Sequence, residues 1–193
     1  MKKEDNEQVI YTKTKADWRK WLAENHLSKQ NVWLVFYNKK SELPSITWSD
    51  AVDVALCFGW IDSKKVKIDE ETSHQFFSQR KPKSTWSKIN KAKIEQLIEQ
   101  GLMTEAGFKS IETAKQNGSW TILDEVEELI IPADLDAEFT GKPTAKDFFL
   151  GLSKSVRKMI LAWLVFAKTP QTRQKRITEI VERAEQKLKP KHL

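Results

Sequence analysis

The sequence predicts an α+β fold, in which a small, mainly antiparallel sheet is packed with helices and is followed by a C-terminal helical unit. Segments rich in β-branched and aromatic residues, which are typical of strands, lie before residue 80 and alternate with amphipathic helical patterns. From Ser84 onward the periodicity is mainly helical. Strands in the first part of a chain and helices in the remainder are typical of α+β proteins.

Two predicted helices flank the first predicted strand. Thr14 and Asp17 have the spacing of a capping box, which predicts a helix over the residues that follow. Thr47 begins a second helix, and Gly59 supplies a residue that can end it in the left-handed conformation. Between these helices "NVWLVFYNK" (31–39) is apolar on both faces, which predicts a strand that is covered on two sides.

The other strands are expected after the second helix. The segment "WIDSKKVKID" (60–69) predicts a strand, a turn and another strand, and "SHQFFS" (73–78) predicts one more strand after an acidic turn. The polar residues 1–10 are expected to be frayed.

The domain organisation follows from the acidic segment 119–143, which contains two prolines and is interpreted as a linker with one short helix. It separates an α+β domain (11–118) from a C-terminal helical unit (144–190). Two helices are predicted in the last unit, 153–168 and 169–188, the second with proline at its first helical position.

The composition is that of a folded, water-soluble protein. Hydrophobic residues make up 39% of the 193 residues and the net charge is +6, which excludes a disordered chain of high charge. The only cysteine, Cys57, excludes an internal disulfide and fits a reducing compartment. No apolar run suits a secretion signal or reaches the roughly 18 residues of a membrane span, so a cytoplasmic location is predicted.

A basic segment, "QRKPKSTWSKIN" (79–90), suggests an anion site. The proline after Lys81 disfavours helical geometry, so the cations should lie on a loop that enters a helix. Ser84 and Ser87 can both cap that helix, and a helix start with hydroxyls and cations attracts anions. The structural alternative is that the serines cap the helix, the lysines are solvated and Trp86 packs in the core. Residue types alone favour this alternative, because capped helix starts are common.

A second basic segment, "AKTPQTRQKRI", opens the last helix. Arg173 lies four residues before Ile177, so it should point along the apolar stripe near the helix start. A charge in that position needs either a bound anion or a carboxylate, such as Asp62 or an acid of the linker, and the salt bridge is the favoured alternative. Arg176 lies at the edge of the same stripe.

Asp62 is the acidic residue of greatest interest. Strand alternation places it on one face with Trp60, and places Ile61 and Ser63 on the other face. A carboxylate beside an indole can act as a general base, or it can simply accept a hydrogen bond from a tryptophan or from Arg80, which is the favoured interpretation. Histidines and cysteine lack metal-ligand spacing and no phosphate-loop or dinucleotide motif occurs, so neither a metal nor a cofactor is predicted.

The segments "DWRKWLAENH", "VWLVFYNK", "ALCFGWIDS", "KSTWSKIN" and "AKTPQTRQKRI" together resemble the YdeI/OmpD-associated (bacteriocin-protection, OmdA) family, over about residues 14–185. The resemblance implies a role in tolerance to bacteriocins and cationic antimicrobial peptides, with an envelope protein as a partner and with no established enzymatic activity. Phe76 and Gln79 stand where the family pattern has arginine and proline. The positions that match its motifs are Trp60, Asp62, Ser63, Arg80, Lys83, Ser84, Trp86, Ser87, Asn90, Thr172, Arg173 and Arg176.

These observations lead to three hypotheses of function. The first is a non-catalytic binder of a small phosphate or carboxylate ligand. The second is a nucleic-acid-binding protein, which the net charge suggests but no recognition motif supports. The third is an enzyme that uses Asp62 as the base and Arg80 as an anion clamp. The predicted ligand-binding residues are Trp60, Asp62, Arg80, Lys83, Ser84, Trp86, Ser87, Arg173 and Arg176.

Overall fold

A computed structural model describes residues 8–191 of the chain, which form two compact units. The first unit contains the described residues up to Ser84 together with Ile89–Trp120, and the second contains Thr85–Lys88 together with the described residues from Thr121 onward.

The first unit contains a four-stranded sheet in the order β1-β2-β4-β3. Strand β1 is parallel to β2, whereas the β2–β4 and β4–β3 pairs are antiparallel, so the expected α+β fold with a mainly antiparallel sheet is confirmed. The elements, in chain order, are β1 (Val9–Tyr11), α1 (Lys15–Asn25), β2 (Asn31–Tyr37), α2 (Trp48–Cys57), β3 (Trp60–Lys67), β4 (Thr72–Gln79), α3 (Lys88–Glu99) and α4 (Glu105–Gln116).

One face of the sheet, here called the inner face, is buried beneath α1 and α2. Leu34, Trp60 and Phe77 are fully buried on this face. Trp18 of α1 lies with its ring 5.3 Å from that of Phe77, and its Nε1 donates to the carbonyl of Ala51 in α2. Tryptophan therefore supplies both apolar area and a satisfied polar atom at the junction of the two helices with the sheet.

The predicted starts of α1 and α2 are confirmed. The Thr14 side chain accepts from the backbone of Asp17, whose carboxylate accepts in return from the Thr14 backbone, so α1 has a complete capping box. Thr47 caps α2 in the same way through its side chain. Gly59 lies between α2 and β3 with φ of +71°, and its carbonyl accepts a hydrogen bond from the backbone N–H of Arg80 at 2.9 Å. Backbone pairing between these two segments thus extends one residue beyond β4, to Arg80.

The second unit is helical and has a core of its own. Its elements are α5 (Asp124–Glu127), α6 (Ala133–Glu138), α7 (Pro143–Gly151), α8 (Lys154–Val165) and α9 (Pro170–Glu185). Thr169 caps α9 and Pro170 is its first residue, as predicted. The buried core residues are Val126, Leu135, Phe139, Ala145, Phe149, Ile160, Leu161, Leu164, Ile177, Ile180, Val181 and Ala184.

Several elements differ from the predictions. The segment 60–69 holds one strand rather than two, because its hairpin partner is β4 and the turn lies at 68–71. Residues 9–11 form β1 instead of fraying, since β2 offers them a parallel edge; residues 1–7 lie outside the described part. Helix α7 precedes the two helices that were expected in the C-terminal unit.

The predicted linker, 119–143, contains both α5 and α6. Val126, Leu135 and Phe139 from this segment belong to the core of the second unit. The domain boundaries 11–118 and 144–190, as limits of independently folding parts, stay predictions.

Candidate ligand-binding site

A cavity of about 670 Å³ lies in the first unit, beside the end of β4 and on the face of the sheet opposite α1 and α2, here called the outer face. Strand residues form its floor, and the residues that follow β4 form one wall. The lining residues are Gln30, Asn31, Ile61, Ser63, Phe76, Ser78, Gln79, Arg80, Lys81, Pro82 and Ser84.

Strand register builds the floor of the cavity. Ser78 of β4 lies directly between Asn31 of β2 and Ile61 of β3, so these three side chains form a row across the sheet. Phe76 follows on the same face, two residues back along β4. The β3–β4 register shifts between Asp62 and Lys65, so the outer face near Ser63 departs from regular pairing.

Hydrogen bonds from the first unit hold the walls in place. The Gln79 side chain donates to the carbonyls of His26 and Lys29 at 2.7 and 2.9 Å. On the other side, the backbone of Ser84 donates to the Lys81 carbonyl at 2.9 Å and closes a turn. The carbonyl of Pro82 within that turn accepts from the Asn117 amide at 2.7 Å. The wall that carries the cations is therefore attached to the end of α4.

The lining of the cavity is electropositive. Arg80 and Lys81 both line it, and none of the lining residues is acidic. Burial lowers the pKa of Arg80 to about 10, and the nearby Asp62 carboxylate opposes that lowering. Arg80 consequently remains protonated at neutral pH while partly removed from water. An anion in the cavity would be stabilised by this charge and by the serine hydroxyls.

The structure brings only some of the predicted site residues to this cavity. Arg80 and Ser84 line it, and so does Ser63, which the family resemblance had included. Lys83 is exposed and is not among the lining residues. Ser87 directly precedes α3, whose first residue is Lys88.

Trp60 and Asp62 lie on the inner side of the sheet instead. Trp60 is fully buried, and its Nε1 donates to the carbonyl of His26 at 3.4 Å. Asp62 Oδ2 accepts from Trp48 Nε1 at 2.9 Å and from Gln75 Nε2 at 3.3 Å. Asp62 thus accepts a hydrogen bond from a tryptophan, which was the favoured of the two roles that the sequence suggested for it.

Trp86, Arg173 and Arg176 belong to the second unit. Trp86 is buried. Arg173 binds Asp134 with two nitrogens, Nε to Oδ2 at 2.5 Å and Nη2 to Oδ1 at 2.9 Å, so the carboxylate alternative from the acidic segment is the one observed. Arg176 donates to the Trp163 carbonyl and lies 4.8 Å above that indole ring.

Sequence reasoning missed Asn31, Ile61, Phe76, Ser78 and Lys81 as lining residues. A signal for two of these positions was present, because Phe76 and Ser78 alternate along one strand with the predicted residue Arg80 and must share its face. Prediction of Asn31 as a lining residue would have required the register of β2 against β4, which sequence periodicity does not specify.

Comparison with known families divides the chain into two parts. The model of a domain of unknown function, DUF8412, matches residues 10–110, which is more than half of the chain. The chain belongs to this family. The model described as Bacteriocin-protection, YdeI or OmpD-Associated matches residues 128–187, so the family resemblance is confirmed over the C-terminal part, whereas DUF8412 covers most of the first unit. No curated protein and no solved structure matches the chain.

Membrane-spanning helices and metal clusters are both absent from the described part of the chain. Within residues 8–191, no helix is both long and apolar enough to cross a bilayer. In the same range, no cluster of three or more histidine, cysteine or acidic side chains could hold a metal ion.

Proposed function

We propose that the first unit binds a small anionic ligand, with a phosphate or a carboxylate group, in the cavity beside β4 and without catalysing a reaction. The observation that supports this function is the cavity of about 670 Å³, which Arg80 and Lys81 line and to which no carboxylate contributes. This volume falls within the roughly 300–1,000 Å³ that is typical of small-molecule sites.

The two cations differ in a way that suits recognition of an anion. Arg80 is partly buried, so its attraction to an anion is less screened than it would be in open solvent. Lys81 is exposed and can approach a ligand as a flexible point charge. Hydroxyls of Ser63, Ser78 and Ser84 add hydrogen-bond donors around the same space.

A catalytic function is less well supported than binding. Asp62, the predicted base, does not line the cavity, and one of its oxygens accepts hydrogen bonds from Trp48 and Gln75. A general base has to be within hydrogen-bond reach of the proton that it removes.

Anion binding can be tested by thermal denaturation at low ionic strength with phosphate, acetate and other small acids. A ligand at 100 times its Kd stabilises the folded protein by about 2.7 kcal/mol, which raises the melting temperature by several degrees. We expect Arg80→Gln to abolish this rise. The matched control is Lys83→Gln, which removes the same charge from an exposed residue outside the cavity and should retain the response. An unchanged response of Arg80→Gln, or no rise with any anion, would contradict the proposal.

Nucleic-acid binding is the second candidate, and one observation favours it. Lys64 Nζ lies 4.9 Å from the ring centroid of Trp33 and 5.1 Å from that of Phe76, which places a cation over aromatics on the outer face. A gel-shift series at increasing salt distinguishes this candidate, since phosphate contacts to a strand give a steep salt dependence.

The biological setting that we propose is the tolerance role named by the family of the C-terminal part, with a protein partner for the helical unit. In this setting, binding of the ligand to the first unit would regulate the tolerance response. A deletion strain should lose survival under bacteriocin or cationic-peptide challenge, and the Arg80→Gln protein should fail to restore it. Full restoration of survival by that variant would show that the cavity is not required for the tolerance role.

A further inference from the structure

We infer that the anion bound beside β4 is a nucleoside monophosphate, with its base at Phe76, its sugar at Ser78 and its phosphate at Arg80. This inference rests on the proposed function and specifies its ligand class. It follows from the order in which three kinds of side chain occur along one strand.

Phe76, Ser78 and Arg80 are spaced by two residues, so all three lie on the same side of β4 and of the chain that continues it. At about 3.3 Å per residue, the Cα atoms of Phe76 and Arg80 are roughly 13 Å apart. An inorganic phosphate can occupy only the cationic end of such a site. A base, a sugar and a phosphate joined in a line extend over a comparable distance once the length of the arginine side chain is included.

The aromatic end suits a flat ring. Phe76 is partly exposed in the cavity, and it is held from the side by Trp33, with the ring centroids 5.0 Å apart at 67°. An aromatic side chain fixed in this way offers a rigid surface on which a base can stack. Lys64 Nζ lies 5.1 Å from the centroid of the same ring, and a stacked base would take the place of this flexible side chain. Ile61, across the sheet, adds apolar area to the same floor.

The middle of the cavity suits a sugar. Asn31 lies directly opposite Ser78 in the sheet, and Ser63 lines the cavity from β3. Amide and hydroxyl groups can each donate and accept, which is the pattern that ribose hydroxyls require. At the far end, Arg80, Lys81 and Ser84 supply two charges and a hydroxyl for the phosphate.

The test is calorimetric titration of the full-length protein with adenosine monophosphate, uridine monophosphate, adenosine and inorganic phosphate. We expect both nucleotides to bind at least about tenfold more tightly than phosphate or adenosine, because stacking and charge act together. Phe76→Leu should remove about tenfold of nucleotide affinity and leave phosphate affinity unchanged. The control is Phe108→Leu, an exposed phenylalanine of the same unit that does not line the cavity.

The outcomes separate the two proposals. Equal affinity for phosphate, acetate and nucleotides, with no effect of Phe76→Leu, would overturn the nucleotide inference and leave anion binding intact. No binding of any anion would overturn both. Binding of a longer strand without binding of mononucleotides would also overturn the inference. Lys81→Gln, a change at an exposed residue, gives a second test of the phosphate end should Arg80→Gln fail to fold.

Discussion

At the scale of single residues, two arginines show how neighbours decide what a charge does. Arg173 is bound by both oxygens of Asp134 and also donates to the Leu164 carbonyl at 3.2 Å, so it fastens α9 to α6 and to the end of α8. Arg80 lines a cavity whose lining residues include no acid, and the nearby Asp62 carboxylate opposes the lowering of its pKa by burial. The residue type is the same, but Arg173 joins helices of the second unit, whereas Arg80 lies at a cavity with room for the ligand that we propose.

The Arg173–Asp134 pair leads to a prediction for stability. The hydrogen bond and charge of Arg173 lower the pKa of Asp134, so the pair contributes above the unfolded value of about 3.9 and its contribution is lost as the pH falls through the folded value. Asp134→Asn should lower the free energy of unfolding by about 1 kcal/mol at pH 7, because the pair is bidentate but partly exposed. The measurement is urea unfolding at pH 7 and at pH 2.5, where the loss should largely disappear.

The control for this prediction is Asp136→Asn on the same helix, whose partner Lys146 is at 2.8 Å in a more exposed pair. Its effect should stay within about 0.5 kcal/mol. An equal loss for Asp134→Asn at both pH values would show that the ion pair is not the source of the effect.

At the scale of elements, the packing of α4 against the end of α2 depends on a glycine inside a helix. The Cys57 carbonyl at the end of α2 accepts from the hydroxyl of Thr104, the residue that caps α4, at 2.6 Å. A Cβ on Gly107 would lie 2.3 Å from the same carbonyl oxygen, closer than atoms can approach. Glycine is a poor helix former, so its presence here is explained by the close approach of two elements.

Gly107→Ala tests this explanation. Helix propensity alone predicts that the alanine variant gains about 1 kcal/mol of stability. We expect the opposite, a loss of about 1–3 kcal/mol in the free energy of unfolding, because backbone has to move to admit the methyl group. Gly151→Ala in α7 is the matched control, since nothing lies within 4 Å of its added Cβ. A stability equal to or above wild type for Gly107→Ala would contradict the packing argument.

At the scale of the whole molecule, the two family matches follow the two compact units. The DUF8412 match, 10–110, ends before the first unit does, and the YdeI or OmpD-associated match, 128–187, falls entirely in the second. Each unit has a buried core of its own, so each can evolve under its own packing constraints. Carboxylates whose pKa is lowered occur in both units, Asp50 and Asp69 in the first and Glu128 and Asp134 in the second.

The decrease in stability at acid pH depends on carboxylates in both units. Hydrogen bonds and nearby cations lower the pKa of Asp50, Asp69, Glu128 and Asp134. Each of these groups binds more protons in the unfolded state within the window between its folded and unfolded values, so stability must rise with pH there. We expect the melting temperature to fall steeply as the pH is lowered below about 4.5 and to be nearly constant from pH 5 to 8. A melting temperature unchanged down to pH 3 would contradict this account.

Local sequence signals predicted the structural features that depend on residues close together in the chain. Capping at Thr14, Thr47 and Thr169 and alternation at the start of β3 are short-range effects, and the structure contains all of them. The strand β1 was missed because three residues carry too little periodicity, and its pairing partner is more than twenty residues away.

The sequence by itself therefore determined the α+β class, the starts of the principal helices and the electropositive character of the segment after β4. Only the tertiary structure decided that Arg80 lines a cavity with Asn31 and Ile61, that Asp62 lies on the other face of the sheet, and that Arg173 pairs with Asp134 within the second unit. The physical reason is the sequence separation between the groups that interact. Helix capping and strand alternation act over a few residues, whereas strand register and the pairing of buried charges depend on groups that are distant in the chain.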